Sequence, residues 1–84
     1  MKSLKNSSQI SIMAHIAGTV VEMSPSLMPG MQVKKGEELL TLERMKLFCH
    51  VSSPCTGVVT AVMTGLGRRV LEGEILFEME AQCV

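Results

Sequence analysis

The 84-residue sequence predicts an all-β fold, a flattened β-barrel or sandwich built from two similar halves. Three observations lead to this prediction. Short runs rich in Val, Ile, Leu and Thr alternate with Gly and Pro, as strands bounded by turns do. No window keeps the apolar spacing that an amphipathic helix of useful length needs. Two segments repeat, and each half alone is too small to close a hydrophobic core.

Six runs are predicted as strands, beginning at about Ile10. Residues 1–9 are polar and show no periodicity, so we predict a mobile tail there and a single folded domain over residues 10–84. The stretch 39–45 is the best competitor for a helix, but it stops at a polar turn. The predicted strands are ISIM (10–13), TVVEM (19–23), ELLTLE (38–43), LFCHV (47–51), GVVTAVM (57–63) and EILFEME (74–80).

The internal repeat relates VKKGEELLTLE, which begins at Val33, to VLEGEILFEME, which begins 37 positions later at Val70. Upstream, residues 14–21 (AHIAGTVV) match residues 53–60 (SPCTGVVT) at an offset of 39. The first half therefore carries two extra residues, which we place in its SPSLMPG loop. The repeat predicts that a pseudo-twofold axis relates the two halves.

Two local features of the repeat have structural consequences. Gly36 and Gly73 each stand in a turn before a strand, where a positive φ is expected. Leu39 and Leu42 are spaced by three, and strict alternation puts residues at that spacing on opposite faces of a strand. We therefore predict a β-bulge or strong twist in this strand and in its counterpart.

Composition and charge exclude several classes of function. The formal net charge is zero and no basic block is interleaved with aromatic residues, which argues against a nucleic-acid surface. Three cysteines without repeated CxxC spacing argue against a disulfide framework and a zinc site. The N-terminal residues lack the apolar core of a signal peptide, and no apolar run reaches transmembrane length. We expect a cytoplasmic domain without membrane insertion.

The core is predicted to be mainly aliphatic, because the chain has no Trp or Tyr and only two Phe. Methionine fills irregular gaps well, and we assign Met13, Met23, Met63 and Met79 to the core. Cys49 and His50 are adjacent on a strand, so their side chains point to opposite faces and do not form a catalytic pair. The spacing of His15, His50 and Cys55 matches no metal site, and we predict neither a metal site nor a catalytic residue.

The joint between the two halves is the stretch LERMKLF (42–48), in which Lys46 stands between Met45 and Leu47. A hairpin joint is exposed, so both apolar neighbours are expected to lie partly in water. A single exposed apolar residue is ordinary, whereas a pair around a lysine invites a functional explanation. The alternative is an ordinary solvated lysine in a turn.

Between about Met13 and Glu80 the sequence resembles the biotinyl/lipoyl carrier domain family. Gly36 lies ten positions before Lys46 and Gly57 lies eleven after it, as in that family. The stretch SSPCTGVV (52–59) resembles the usual start of the family's second half. The resemblance implies a barrel-sandwich hybrid of two halves, with a modified lysine on the hairpin that joins them.

The residues around Lys46 favour biotin over lipoate within this family. Biotin domains usually carry Glu-Ala-Met-Lys-Met and lipoyl domains usually carry Glu-Thr-Asp-Lys-Ala, whereas this chain has Glu43-Arg44-Met45-Lys46-Leu47. Met45 and Leu47 resemble the biotin pattern, Glu43 is common to both, and Arg44 replaces a small Ala. The resemblance implies that Lys46 carries covalent biotin and that its four neighbours are read by a biotin protein ligase. Lipoate is the less favoured cofactor.

The resemblance also implies a role without catalysis. The domain is expected to be the carrier of a biotin-dependent carboxylase or decarboxylase, passing a carboxyl group between a biotin carboxylase and a carboxyltransferase or decarboxylase. In such a system the cofactor holds the reaction chemistry and the protein presents it. Two alternatives remain open at this point, namely a lipoyl carrier and an unmodified lipoyl-like binding or structural module.

Overall fold

The computed structural model describes residues 7–82, which form two four-stranded antiparallel sheets and contain no helix. The first sheet has the order β1-β8-β6-β3 and the second has the order β5-β4-β2-β7. The predicted all-β barrel-sandwich architecture is therefore confirmed. The strands are β1 (Ser7–Met13), β2 (Gly18–Met23), β3 (Gln32–Val33), β4 (Glu38–Arg44), β5 (Leu47–Ser52), β6 (Gly57–Val62), β7 (Arg69–Val70) and β8 (Ile75–Gln82).

The strand order confirms the predicted pseudo-twofold relation. Replacing each of the strands β1 to β4 by its counterpart among β5 to β8 converts the order of one sheet into that of the other. The strand register agrees, because Thr19 pairs with Glu43 as Val58 pairs with Glu80. The two extra residues lie in the β2–β3 loop (24–31), as predicted, since the equivalent β6–β7 loop (63–68) is shorter by two.

The turns and bulges also match the sequence. Gly36 and Gly73 have φ values of +88° and +87°, in the left-handed region that a side chain disfavours. Leu39 is the extra residue of a bulge, because Glu38 and Leu40 pair with consecutive residues of β5. Leu76 is the extra residue of the equivalent bulge in β8, because Phe77 and Ile75 pair with consecutive residues of β1. The bulge lets Leu39, Leu40 and Leu42 all be buried within one strand.

The core is aliphatic apart from Phe77, which is completely buried. Met79 is buried and Met23 is half-buried against the core, as predicted. Met13 and Met63 are 48% and 45% exposed, so their assignment to the core was wrong. Met13 is the last residue of β1 and Met63 follows the last residue of β6. A side chain at the end of a strand is covered on fewer sides than one in the middle.

Two details of the strand prediction need correction. The first strand begins at Ser7, so residues 7–9 belong to the sheet and not to a tail; residues 1–6 lie outside the described part. Ser7 pairs with Gln82 and continues the β1–β8 ladder, which a polar strand can join through its backbone alone. The strands β3 and β7 were missed because two residues are too few to show any periodicity.

Candidate functional site

Lys46 stands at the tip of a two-residue hairpin. Arg44, the last residue of β4, pairs with Leu47, the first residue of β5, so Met45 and Lys46 alone form the loop. Both loop residues have a positive φ, 52° for Met45 and 67° for Lys46. A two-residue hairpin loop of type I′ requires this conformation and favours Asn and Gly. The chain places two long side chains there instead.

The conformation of the loop is energetically unfavourable for these residues. A non-glycine residue in the left-handed region loses roughly 1–2 kcal/mol relative to the right-handed region. Among residues 7–82, Met45 and Lys46 are the only non-glycine residues with a positive φ. Backbone strain that is confined to one place in a fold is found characteristically at functional sites.

The side chains at the tip are open to solvent. Met45 is 84% exposed, Leu47 is 72% exposed, and Lys46 between them is also exposed. The sequence-based expectation of an exposed lysine with exposed apolar neighbours is therefore confirmed. The Lys46 amine can be reached by another protein without any rearrangement of the fold.

A row of side chains crosses the second sheet directly behind the tip. Phe48 lies opposite Glu43, Glu43 lies opposite Thr19, and Thr19 lies opposite Arg69. Directly opposite residues share one face of a sheet, so these four side chains, from β5, β4, β2 and β7, lie side by side. Glu43 is half-buried within this row. Neither Phe48 nor Arg69 is among the predicted site residues, and an apolar residue in a strand such as Phe48 suggests the core.

Gly18 holds the base of the hairpin close to β2. A Cβ atom at Gly18 would lie 2.7 Å from the carbonyl oxygen of Glu43, so a larger residue would push the two strands apart. Gly57 has the same close approach to the carbonyl oxygen of Glu80 in the other half. The glycine that matches between the two halves thus fixes the backbone position of Glu43, three residues before Lys46.

An open depression lies beside the tip, between the hairpin and the end of β7. Its lining includes Arg44, Met45, Lys46, Arg69 and Leu71. The depression combines apolar side chains with cationic ones. It offers a surface along which an acyl chain attached to Lys46 can lie, so the residues present fit a covalently attached cofactor.

The remaining candidates of the sequence analysis lie away from this tip. Cys49 is half-buried against the core and His50 is exposed, which confirms that they face opposite sides of β5. The Nδ1 atom of His50 lies 3.0 Å from the hydroxyl of Thr41, which donates a hydrogen bond to Glu22. Within residues 7–82 no three His, Cys, Asp or Glu side chains are grouped so as to hold a metal ion. The same residues include no helix able to span a membrane.

Relieving the strain at the tip is expected to stabilise the fold. Lys46→Gly places a residue without a Cβ at a φ of 67° and should raise the free energy of unfolding by about 1 kcal/mol. Urea denaturation of the variant and the parent chain measures the difference. Lys35→Gly, at an exposed lysine where the structure has no positive φ, is the control and should not be stabilised. An equal or lower stability of Lys46→Gly would contradict the assignment of strain.

Comparison with known proteins decides the family. The model of the biotin/lipoyl family, described as "biotin-requiring enzyme", matches residues 10–79. The chain belongs to the biotinyl/lipoyl carrier domain family. Members of this family bear biotin or lipoate on a lysine, and the domain is a carrier that is not itself catalytic. Membership of this family accounts for the two-halved fold and its repeat.

Relatives of both cofactor types are similar to this biotinyl/lipoyl domain. The mitochondrial alpha subunit of methylcrotonoyl-CoA carboxylase from Oryza sativa is 31% identical over 70 residues. The dihydrolipoyllysine-residue acetyltransferase component of the pyruvate dehydrogenase complex from Pseudomonas aeruginosa is 34% identical over 65 residues. Among solved structures, a single-chain, multi-domain long-chain acyl-CoA carboxylase matches with a TM-score of 0.79 and 28% identity over 88% of this chain.

The matched proteins are much longer than this biotinyl/lipoyl domain. Its matched residues, 83% and 77% of the chain, span 9% of the carboxylase subunit and 12% of the acetyltransferase component. The match to the acyl-CoA carboxylase covers 7% of that chain. The similarity therefore extends to one domain of each protein and establishes the carrier domain, not the whole assembly.

Proposed function

We propose that Lys46 is covalently biotinylated and that the domain carries a carboxyl group between a biotin carboxylase and a carboxyltransferase or decarboxylase. The observation that carries the proposal is the tip itself, where Lys46 is exposed between Met45 and Leu47. In the family that the chain resembles, biotin domains usually have a methionine directly before the modified lysine, whereas lipoyl domains usually have an aspartate there. Similarity to two carboxylases adds support.

The chemistry of attachment places three requirements on the chain. Lys46 must be reachable, its ammonium must lose a proton to the modifying enzyme, and its neighbours must not obstruct the incoming acyl group. The Nζ atom then attacks the activated carbonyl carbon and forms an amide, while the activating nucleotide leaves with the electrons of the broken bond. The product is uncharged, so exposed Met45 and Leu47 become apolar neighbours of a neutral arm.

Once bound, biotin supplies a ureido nitrogen that can accept and release a carboxyl group. The chain would present the cofactor to its partners. The two-residue loop between paired strands fixes the backbone of Lys46, while the lysine side chain and the attached biotin remain free to move. Attachment to a carrier keeps the arm at high effective concentration near each enzyme that binds the carrier. The partners that we propose are a biotin protein ligase, a biotin carboxylase and a carboxyltransferase or decarboxylase.

Lipoate is the second candidate cofactor. The similarity to a dihydrolipoyllysine-residue acetyltransferase component, 34% identity over 65 residues, supports it, although the carboxylase subunit matches a longer stretch of 70 residues at 31% identity. Met45 and Leu47 argue against it, because neither resembles the usual lipoyl neighbours. We therefore place lipoate second.

The deciding experiment co-expresses the chain with a biotin ligase and, separately, with a lipoyl ligase. Intact mass followed by peptide mapping identifies the acyl group and its position. We expect a biotinyl adduct on Lys46 with the first enzyme and little or no lipoyl adduct with the second. A lipoyl adduct alone would make the domain a lipoyl carrier. No adduct with either enzyme would refute the carrier role and favour an unmodified binding module.

A further inference from the structure

The pseudo-twofold axis supplies an internal reference for the surface around Lys46. Every position of β4, β5 and β7 near the tip has a counterpart at the opposite end of the molecule, where the ends of β1 and β8 pair. Three exposed apolar residues near the tip correspond there to polar residues. The corresponding pairs are Leu47 and Ser8, Phe48 and Gln9, and Leu71 and Lys34.

Apart from the hairpin loop itself, the strands and turns at the two ends make equivalent backbone contacts in spite of this difference. The backbone N–H of Leu71 donates to the Glu74 carboxylate at 3.0 Å, and that of Lys34 donates to Glu37 at 3.1 Å. Phe48 pairs across the ladder with Glu43, as its counterpart in β1 pairs with Glu80. The backbone therefore accepts a polar residue at these positions, and at the opposite end the Gln9 amide also donates to the hydroxyl of Thr60 at 2.8 Å.

Burial does not explain the apolar side chains either. Phe48 is 61% exposed and Leu71 is 70% exposed, so neither contributes much to the core. Phe48 is one of only two aromatic residues in the chain, and it lies on the outer face of the second sheet. Leu71 lines the depression that Met45 and Lys46 also line. Phe48 thus lies on the edge strand β5, and Leu71 directly follows the opposite edge strand β7.

An enzyme interface of ordinary size, centred on Lys46, is wide enough to include both Phe48 and Leu71. A standard protein–protein interface covers about 800 Å² of each partner, a disc about 16 Å in radius. Four neighbouring strands at a spacing of about 4.8 Å are about 14 Å wide. An enzyme that binds over Lys46 with an interface of this size therefore covers the sheet from Phe48 on β5 to Leu71 beyond β7.

The charge of the surface around the tip indicates the kind of partner surface that would bind it. Three cationic side chains, those of Arg44, Lys46 and Arg69, line the depression together with one carboxylate, that of Glu43. At the opposite end, the position of Arg69 is occupied by the uncharged Gln32. A complementary partner surface is apolar at its centre and acidic at its rim.

We propose that Phe48 and Leu71 extend the recognition surface of this carrier beyond the residues around Lys46, and that its occupant is the acidic-rimmed, apolar carrier-binding face of the enzyme that acylates Lys46. This inference rests on the proposed function. Phe48 and Leu71 are contact residues for docking, whereas the amine of Lys46 is the reacting group. Arg69 belongs to the rim and accelerates encounter with the acidic surface.

The test measures the rate of biotin transfer to the full chain by a biotin ligase, as kcat/KM for the carrier. Phe48→Gln introduces the residue of the opposite end, and Leu71→Gln removes an apolar side chain without changing the charge. Each is expected to lower kcat/KM about tenfold, equivalent to about 1.4 kcal/mol, mainly through KM. Arg69→Gln should weaken the dependence of kcat/KM on ionic strength.

The matched control is Leu66→Gln. Leu66 is 67% exposed, nearly as much as Leu71, but it lines a different groove beside β2 and β4. This variant should be labelled within about twofold of the parent, since the groove that Leu66 lines contains neither the hairpin tip nor Phe48 or Leu71. Equal rates for Phe48→Gln, Leu71→Gln and Leu66→Gln would overturn the docking surface and leave the carrier role intact. A parent chain that takes an acyl group from no ligase would overturn both proposals.

Discussion

Lys46→Arg is expected to abolish acylation completely and to leave the fold unchanged. Arginine keeps the positive charge and the length of the side chain, but its guanidinium does not lose a proton to act as an acyl acceptor under these conditions. Lys46 is exposed, so the exchange removes no packing. Intact mass after incubation with ligase, ATP and biotin measures the acylation. Circular dichroism and the denaturation midpoint verify the fold.

Lys35→Arg is the matched control for this loss. Lys35 is also exposed and lies in a turn of the same half. Its neighbours are Lys34 and Gly36 rather than apolar residues, and it lies 11 positions before Lys46. This variant should be labelled to the same extent as the parent chain. An adduct that persists in Lys46→Arg and disappears in Lys35→Arg would show that Lys35, and not Lys46, is the acylated residue. An adduct that persists in both variants would show that neither lysine is the acceptor.

Phe77→Ala is expected to cause the largest loss of stability of any single truncation in the chain. Phe77 is completely buried between the sheets and is the bulkiest residue of the core. Replacing a buried phenylalanine by alanine costs about 3–5 kcal/mol, because the removed atoms leave a cavity that the surroundings fill incompletely. The free energy of unfolding of a small domain is only about 5–15 kcal/mol. Urea denaturation at 25 °C should show a large drop in the midpoint or no folded baseline.

The second phenylalanine gives the internal comparison for this experiment. Phe48 is 61% exposed, so Phe48→Ala should change the free energy of unfolding by no more than about 0.5 kcal/mol. Phe77→Leu, which retains most of the volume, should lose less than Phe77→Ala. Similar losses for the two alanine variants would contradict the packing described for Phe77. A small effect of Phe48→Ala would also show that Phe48 does not contribute to the stability of the fold.

Much of the architecture could be predicted because its determinants are local or repeated. Glycines before strands, apolar runs of strand length and a 37-residue offset are all visible in the chain, and each constrains the backbone nearby. The bulge at Leu39 was predictable because the three-residue spacing to Leu42 is incompatible with regular alternation. The position of Lys46 was predictable because it lies between the two repeats.

Other features could not be predicted, since they depend on pairing between distant residues. Residues 7–9 join the sheet only because β8 presents a free edge, and nothing in their polar sequence indicates a strand. The strands β3 and β7 exist as strands only through their partners β6 and β2. The buried or exposed state of Met13 and Met63 depends on where the covering strands end.

The sequence by itself thus determined the class of fold, the twofold repetition and the lysine at its joint, because these follow from local backbone preferences and from order along the chain. Only the tertiary structure brought Phe48, Thr19 and Arg69 into one row with Glu43 and placed Leu71 beside the tip. These residues lie up to 52 positions apart in the sequence, and no local preference links them. Their proximity results from the register of four paired strands, which is settled when the whole domain packs and both sheets enclose a common core.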